Sequence, residues 1–509
     1  MGTAYMIAVQ EYRPKRRGPV SRRWWALVAV GLATFMTYLD NNVTNVAIPT
    51  IQRDLHLSIA GLEWVVSSYI LVFAGLLLVG GRLADVYGRL RLFVIGLSVF
   101  TLASLGAGLA GSGSVLIGAR LAQGLGAALM VPTTLAIIVA TFTNPRERTR
   151  AVGAWAAIGA LALAFGPLIG GFISQHLHWG WIFLINVPIG VITMAIALAS
   201  VRETRDTSAD RHLDVPGLTA SAIALFSLTY ALIEGHDKGW TSVTILGALA
   251  LAAGAGGVFA LIESRTEHPM VALSLFRSRA FSGGIGTMML WAFGIFGIYF
   301  FTSLYLQGVL GFSPTKAGLA FVPMALCMAL FAGLSGPVAA RVGAHRTVAF
   351  GLVLNAVGLY LFWLLGRDAT FASLMPGFVL FGAGSGLMNV PLTNAVLGSM
   401  PAERSGMASA LLNNSREVAG LLGITVIGAV LRSRQGVALN HGVLPANAFL
   451  DGYHAGLAVT IVLVAAGVVI SYLALRRLPA PAASPVQVPG TPDAEPGQAT
   501  GPELAGTRS

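Results

Sequence analysis

The chain has 509 residues, of which 55% are hydrophobic and only 10% are charged, whereas soluble domains average about 25% charged residues. This composition excludes a soluble enzyme and indicates a protein that lies within a lipid bilayer. The net charge is +11, but the basic residues do not share one face, so we expect no nucleic acid partner.

Fourteen runs of about 20 apolar residues, the length that spans a bilayer, predict an all-α integral membrane protein. The predicted spans are 24–48, 62–82, 92–110, 114–140, 151–172, 181–200, 215–234, 241–262, 281–306, 317–339, 347–365, 371–397, 405–431 and 455–475. The first run follows a basic segment as in a secretory signal, but no convincing cleavage site follows it and thirteen further spans do.

Lysine and arginine favour the cytoplasmic side of a membrane. In this arrangement 24 of the 32 basic residues fall on the side of both termini. We therefore predict that both termini are cytoplasmic, that 1–23 is a basic arm and that 476–509, rich in Pro, Ala and Gly, is a disordered tail. Loop charges such as Arg432 and Arg434 are assigned to the opposite side.

Two segments of the chain repeat at nearly the same offset. Gly81 to Gly88 recurs in weakened form 255 residues later, at Gly336 to Gly343, and Val131-Pro132 recurs 259 residues later. These matches predict two related six-helix bundles, 24–200 and 281–475, separated by 201–280, a linker with two additional helices. Related halves that flank a midplane site are typical of secondary transporters.

Five segments, in order along the predicted spans, resemble signatures of the fourteen-helix drug:proton antiporter branch of the major facilitator superfamily. They are Leu39 to Pro49 in the first span, Gly81 to Arg91 between the second and third, Arg120 to Gly124 in the fourth, Gly153 to Gly171 in the fifth and Trp181 to Pro188 in the sixth. Val86 departs from the branch, which has a basic residue there, and Ala162 replaces a glycine.

The resemblance implies a plasma-membrane antiporter that exports amphipathic drugs or antibiotics by alternating access. It also implies that the proton gradient drives export, and we expect no cofactor, no metal and a monomer. The sequence is consistent with this, because none of the three lysines follows a glycine as in a phosphate-binding loop, and Cys327 is the sole cysteine. A dedicated exporter of a single antibiotic or metabolite, or less plausibly an importer, stays open.

A charge at the centre of a bilayer costs about 2.5–3.5 kcal/mol on insertion scales, so each such residue is a functional candidate. Asp40, Arg120, Arg416 and Glu417 lie at similar depths within their predicted spans. We hypothesise that Asp40 binds the coupling proton and that Arg120 tunes its protonation; the alternative is a permanently ionised packing pair. Glu417 is either a cation or second proton site, or a static partner of Arg416.

Polar and aromatic side chains on neighbouring helix faces predict a cavity between the bundles. The candidate cavity residues are Thr37, Tyr38, Asn41, Asn45, Phe293, Phe296, Phe300, Asn413 and Arg416. Aromatic rings suit flat, lipophilic cations, although packing against lipid is the commoner use of such rings.

Two motifs are candidates for gating. The resemblance implies that Asp85 latches one conformation, with Arg89 as a partner and with Gly81 and Gly88 shaping the turn. In the fifth span Ala162 is followed by small residues that let another backbone approach, and a proline bends the helix. The candidates there are Gly166, Pro167, Gly170 and Gly171.

Overall fold

The computed structural model describes residues 22–205, 214–266, 271, 273–400 and 405–476, the last range with its side chains from residue 407 onward. Most of the predicted basic arm, and the predicted tail beyond residue 476, lie outside the described residues. These described ranges contain fourteen long helices, the sixth interrupted at Ile185: α1 Arg22–Leu55, α2 Ile59–Tyr87, α3 Arg89–Gly108, α4 Gly113–Thr141, α5 Pro145–His176, α6 Trp181–Ser200, α7 Val215–Lys238, α8 Val243–Arg265, α9 Arg279–Val309, α10 Pro314–Val342, α11 Ala344–Trp363, α12 Phe371–Gly398, α13 Ser405–Asn440 and α14 Pro445–Leu475.

These helices confirm the predicted all-α membrane fold, and the described residues contain no strand. Thirteen of the helices are long and apolar enough to cross a membrane. The exception is α1, which is 34 residues long but carries Asp40, Asn41 and Asn42 at its centre. Two of these polar residues, Asp40 and Asn41, are candidates for function on the sequence alone.

The two bundles repeat the same helix pairings eight helices apart. α1 packs on α5, α2 on α4 and α3 on α4, while α9 packs on α13, α10 on α12 and α11 on α12. Glycines allow the closest of these approaches in both halves. A Cβ atom on Gly96 would lie 2.6 Å from the carbonyl oxygen of Gly126, and a Cβ on Gly351 would lie 2.6 Å from that of Gly384. The internal repeat therefore corresponds to a structural duplication.

Contacts between the bundles form along two seams, α5 with α10 and α2 with α13. The two-helix insert lies over the second seam, because α7 packs on both α2 and α13 while α8 packs on α7. α7 thus contacts both bundles.

Several helices extend beyond the apolar runs that predict them. α13 continues to Asn440, whereas the apolar run ends near residue 431. The assignment of Arg432 and Arg434 to a loop is therefore wrong, because both lie in this helix. A helix continues for as long as its backbone hydrogen bonds and packing allow, even where its side chains become polar.

Candidate functional site

A cavity of about 1180 Å³ lies between the two bundles. Most of the predicted cavity residues line it, together with amide and aromatic side chains that the sequence did not single out. The predicted cavity residues in its wall are Thr37, Tyr38, Asn41, Asn45, Phe296, Asn413 and Arg416, and the additional ones include Tyr69, Trp155 and Asn389. Glu417, a candidate for proton coupling, also lines the cavity. The wall is mainly apolar, with polar groups at a few positions, as is usual for small-molecule sites.

The cavity is open at one end, which we call the mouth, and the bundles meet at the other, which we call the closed end. Its lining reaches Arg82, Asp85 and Arg89, where α2 ends and α3 begins. At the closed end Gln307 of α9 donates a 2.9 Å hydrogen bond to the carbonyl oxygen of Val46 in α1.

α9 contributes one aromatic face to the cavity, through Trp291, Phe296 and Tyr299. Phe293 and Phe300 were expected there too, but neither lines the cavity. Phe300 is fully buried and packs edge-on against the ring of its neighbour Phe301. The backbone of Phe293 lies against α13, at Gly423. A helix turns 100° per residue, so Phe293 and Phe300, seven residues apart, share a face that differs from the lining face.

Asp40 is fully buried within the first bundle and does not line the cavity. Its carboxylate forms an ion pair with Arg120 of α4. Its Oδ1 atom also accepts hydrogen bonds from Gln123 Nε2 at 3.0 Å and from Asn186 Nδ2 at 2.9 Å. Ser104 accepts a further bond from Gln123, so α1, α3, α4 and α6 meet at one polar cluster.

Tyr69 separates this polar cluster from the cavity. Its ring lines the cavity, and the guanidinium carbon of Arg120 lies 4.4 Å from the centre of the same ring, within cation–π range. Arg120 also donates a 3.1 Å bond to the carbonyl oxygen of Val65. In this conformation the Asp40–Arg120 pair is therefore shielded from the cavity and from lipid.

Arg416 and Glu417 lie in the cavity wall on α13. Arg416 donates to Glu417 Oε1 from Nε at 3.2 Å and from Nη2 at 2.8 Å. The Arg416 side chain is 26% exposed, so this pair is in contact with the cavity whereas Asp40 is not. The contact between these two neighbours is compatible with both roles that the sequence left open for Glu417.

Asp85 and Arg89 form an ion pair of 2.9 Å at the mouth. Glu203, which the sequence did not single out, caps the N-terminus of α3. Its carboxylate accepts hydrogen bonds from the N–H groups of Leu90 and Arg91, both at 3.0 Å. Gly88 has a φ of 117°, where other residues are strained, and any Cβ there would collide with Glu203. The turn therefore requires glycine on two grounds.

The small residues of α5 face two different partners. A Cβ on Gly166 would lie 2.5 Å from the Cβ of Asn42, and one on Gly170 would lie 2.7 Å from the backbone of Val43. Both positions therefore let α1 approach α5 within the first bundle. Gly171 instead faces α10 across the seam, where its carbonyl oxygen accepts a 3.3 Å bond from Thr315. Pro167 lies inside α5 and lines the cavity. Gly81 lines the cavity near the mouth but lies inside α2, so the expectation that it shapes the turn is wrong, and of the two glycines Gly88 alone does so.

Sequence reasoning missed one buried ion pair. Glu63 of α2 and Arg432 of α13 lie 3.3 Å apart across the second seam, and both are buried. It also assigned no role to Gln123 and Asn186, although both belong to motifs that it quoted. The signal for these two was their position, since each is a polar residue inside an apolar span and must find a hydrogen-bonding partner there.

The chain matches known membrane transport proteins along most of its length. Residues 30–424 match the family model described as Major Facilitator Superfamily. Multidrug resistance protein Stp of Mycobacterium tuberculosis (strain CDC 1551 / Oshkosh) is 38% identical over 407 residues, which are 80% of this chain and 75% of that protein. The puromycin resistance protein pur8 of Streptomyces alboniger is 35% identical, with 87% and 89% covered.

Another relative is the tetracenomycin C resistance and export protein of Streptomyces glaucescens, which is 35% identical over 82% of this chain and 77% of its own. Among solved structures, an auto-inhibited peptide transporter of the POT family matches with a TM-score of 0.66 and 17% identity, covering 90% of this chain and 97% of that one. A bacterial homologue of the human lysosomal transporter Spinster, inward-facing and unoccupied, matches with a TM-score of 0.64 and 18% identity, covering 90% and 98%. Because their sequence identities are this low, these two structural matches show a shared fold alone.

Proposed function

This chain belongs to the Major Facilitator Superfamily, and we propose on that premise that it exports amphipathic drugs or antibiotics across the plasma membrane in exchange for protons. The observation that carries the proposal is the set of relatives at 35–38% identity that are named for multidrug resistance or for antibiotic resistance and export. The chain is a transport protein rather than an enzyme.

The cavity supports an amphipathic cargo. Its volume of about 1180 Å³ exceeds the roughly 300–1,000 Å³ of typical ligand pockets, so it has room for a drug-sized molecule with its water. Aromatic rings cover the apolar parts of such a molecule, and the side-chain amides of Asn41, Asn389 and Asn413 offer both donors and acceptors to its polar groups.

Proton coupling rests on Asp40. A carboxylate that exchanges protons must be reachable from water in at least one conformation, and the Tyr69 ring, which lines the cavity, lies against Arg120 of the Arg120–Asp40 pair. Displacement of this ring by substrate opens a path from the cavity to the pair. Proton entry is worth about 2.3 kcal/mol per 100 mV of membrane potential, which supports a concentration ratio of tenfold or more without a cofactor.

The direction of transport depends on which end of the cavity faces the cytoplasm. We assign the mouth to the cytoplasm, because the basic residues near it outnumber those near the closed end and lysine and arginine favour the cytoplasmic side. Both termini then lie in the cytoplasm, and the described conformation receives substrate from inside the cell. The protein works as a monomer, since one chain contains both bundles and the cavity between them.

The decisive experiment measures substrate-driven proton release from the purified protein in detergent. We expect wild type to release protons on substrate addition and Asp40→Asn to release none, because the amide cannot titrate. Glu234→Gln is the matched control, since Glu234 accepts a bond from Trp64 near the closed end, and it should release protons like wild type. Equal release from wild type and Asp40→Asn would refute Asp40 as the proton site.

A dedicated exporter of a single antibiotic or metabolite is the second candidate, because relatives such as the tetracenomycin C protein are named for one compound. Resistance profiles of a pump-deficient host against cationic dyes and several antibiotic classes separate the two. Uptake into inside-out vesicles with an imposed pH gradient tests the direction of transport, and an importer would fail to accumulate substrate there.

A further inference from the structure

The Glu63–Arg432 pair is buried at the closed end, between the two bundles. The Glu63 side chain is 0% exposed and that of Arg432 is 5% exposed, and the nearest nitrogen and oxygen are 3.3 Å apart. The same Arg432 nitrogen donates a 3.2 Å bond to the carbonyl oxygen of Leu232 in α7. One guanidinium therefore contacts the first bundle and the insert from the second bundle.

The pair is poorly satisfied by hydrogen bonds. Among the described residues, neither carboxylate oxygen of Glu63 has a hydrogen-bonding partner, and Arg432 Nε and Nη1 have none. Burial of two charges costs several kcal/mol each, and their attraction offsets this only when further hydrogen bonds complete the site. Arg432 is therefore the main group that stabilises the negative charge of Glu63.

The neighbouring backbone leaves space for this carboxylate. Gly428 of α13 lies one helical turn before Arg432, and a Cβ atom there would collide with Glu63 Oε1. Burial disfavours the ionised form of Glu63 most, Arg432 favours it, and the negative charge of Asp237 in α7 also disfavours it. Another acid of α7, Glu234, is bonded to Trp64 and to Lys238.

A pair that bridges two bundles cannot survive their separation. When the closed end opens, Arg432 moves away with α13 and leaves Glu63 on α2. An unpaired carboxylate beside a negative Asp237 in a low-dielectric site is costly, and it becomes neutral by taking up a proton. Asp40 differs here, because its partners all belong to one bundle and move together.

We propose that Glu63 and Arg432 form a second proton site, a latch that holds the closed end shut while Glu63 is ionised and releases it when Glu63 is protonated from the phase on that side. This inference rests on the proposed proton-coupled transport. α7 contributes the Leu232 carbonyl to the latch, which gives the insert a part in gating.

The test measures the distance between the bundles at the closed end. Spin labels are placed at Gly111 and Gly366, which lie in exposed loops of opposite bundles with open space around each, in a Cys327→Ala background in lipid nanodiscs. Pulsed electron resonance then reports the long-distance population without any transport assay.

We expect Glu63→Gln to raise the long-distance population about threefold or more at neutral pH, and Gly428→Ala to do the same because the added methyl displaces the carboxylate without removing a charge. The control Glu234→Gln should match wild type. Lowering the pH should lengthen the distance in wild type and in Asp40→Asn, but not in Glu63→Gln.

Unchanged distances in both Glu63→Gln and Gly428→Ala would overturn the latch, and so would an acid-induced opening that survives in Glu63→Gln. Failure of the transport proposal has a different signature, namely proton release that persists in Asp40→Asn. The two results are independent, because the distance measurement requires no substrate.

Discussion

The two buried acids that the sequence places at similar depth lie in opposite surroundings. Asp40 has Arg120, Gln123 and Asn186 as partners from two other helices, with no exposed surface. Glu417 is paired with its neighbour in the same helix, in the wall of the cavity.

The difference shows that depth in the membrane does not determine access to water. Partners on two other helices hold Asp40 in one geometry, and their removal leaves a buried charge unpaired. The Arg416–Glu417 pair lies on one helix beside a cavity that water can enter. When one partner is replaced, water therefore compensates for part of the lost ion pair. The first site is suited to controlled protonation, and the second to contact with cargo.

The largest expected effect tests this contrast through stability. Arg120→Leu leaves Asp40 unpaired and should destabilise the protein by about 3–5 kcal/mol, whereas Arg416→Leu should cost about 1 kcal/mol or less. Thermal unfolding of both variants in the same detergent measures the difference. Adding Asp40→Asn to Arg120→Leu should restore much of the loss. Equal destabilisation by the two leucine variants would contradict the contrast.

A second prediction concerns the packing that supports the Asp40 cluster. Gly166→Leu inserts a side chain where a Cβ alone would lie 2.5 Å from Asn42, and overpacking of this kind costs about 1–3 kcal/mol. We expect normal membrane insertion and loss of transport. Gly153→Leu, in the same helix with open space around it, should transport normally. Transport by Gly166→Leu at the wild-type rate would remove the requirement for close contact between α1 and α5.

A third prediction sharpens the role of the cavity pair. Glu417→Gln leaves Arg416 with an unbalanced positive charge beside the cargo, so efflux of a monocationic dye should fall about tenfold, equivalent to about 1.4 kcal/mol. Efflux of a neutral compound should change little. Dye efflux from intact cells measures both. If Glu417→Gln instead abolished substrate-driven proton release as Asp40→Asn should, Glu417 would be a proton site, the alternative that the sequence left open.

Apolar runs were sufficient to predict the fourteen helices, and charge within those runs was sufficient to find Asp40 and Arg120. They could not locate Glu63 and Arg432, because Glu63 lies at the start of its apolar run and Arg432 just beyond the end of its own, where a charge is ordinarily solvated. The packing of α2, α13 and α7 against one another buries these two residues, and tertiary contacts of that kind leave no local pattern. The orientation of each helix was equally hidden, because Phe296 and Phe300 are both aromatic residues of one span and only packing distinguishes them.

The smallest expected effect tests that distinction directly. Phe296 lines the cavity and packs against Gly420 of α13. A contact between its ring and an aromatic ring of the substrate is worth about 0.5–1.5 kcal/mol beyond the area it buries. Phe296→Ala should therefore raise the KM for an aromatic substrate about two- to tenfold with little change in thermal stability. Phe300→Ala should lower the thermal stability and change the KM little, because loss of a fully buried ring costs about 3–5 kcal/mol. Transport kinetics and unfolding of both variants measure this, and a larger KM change in Phe300→Ala would place the substrate against the other face of α9.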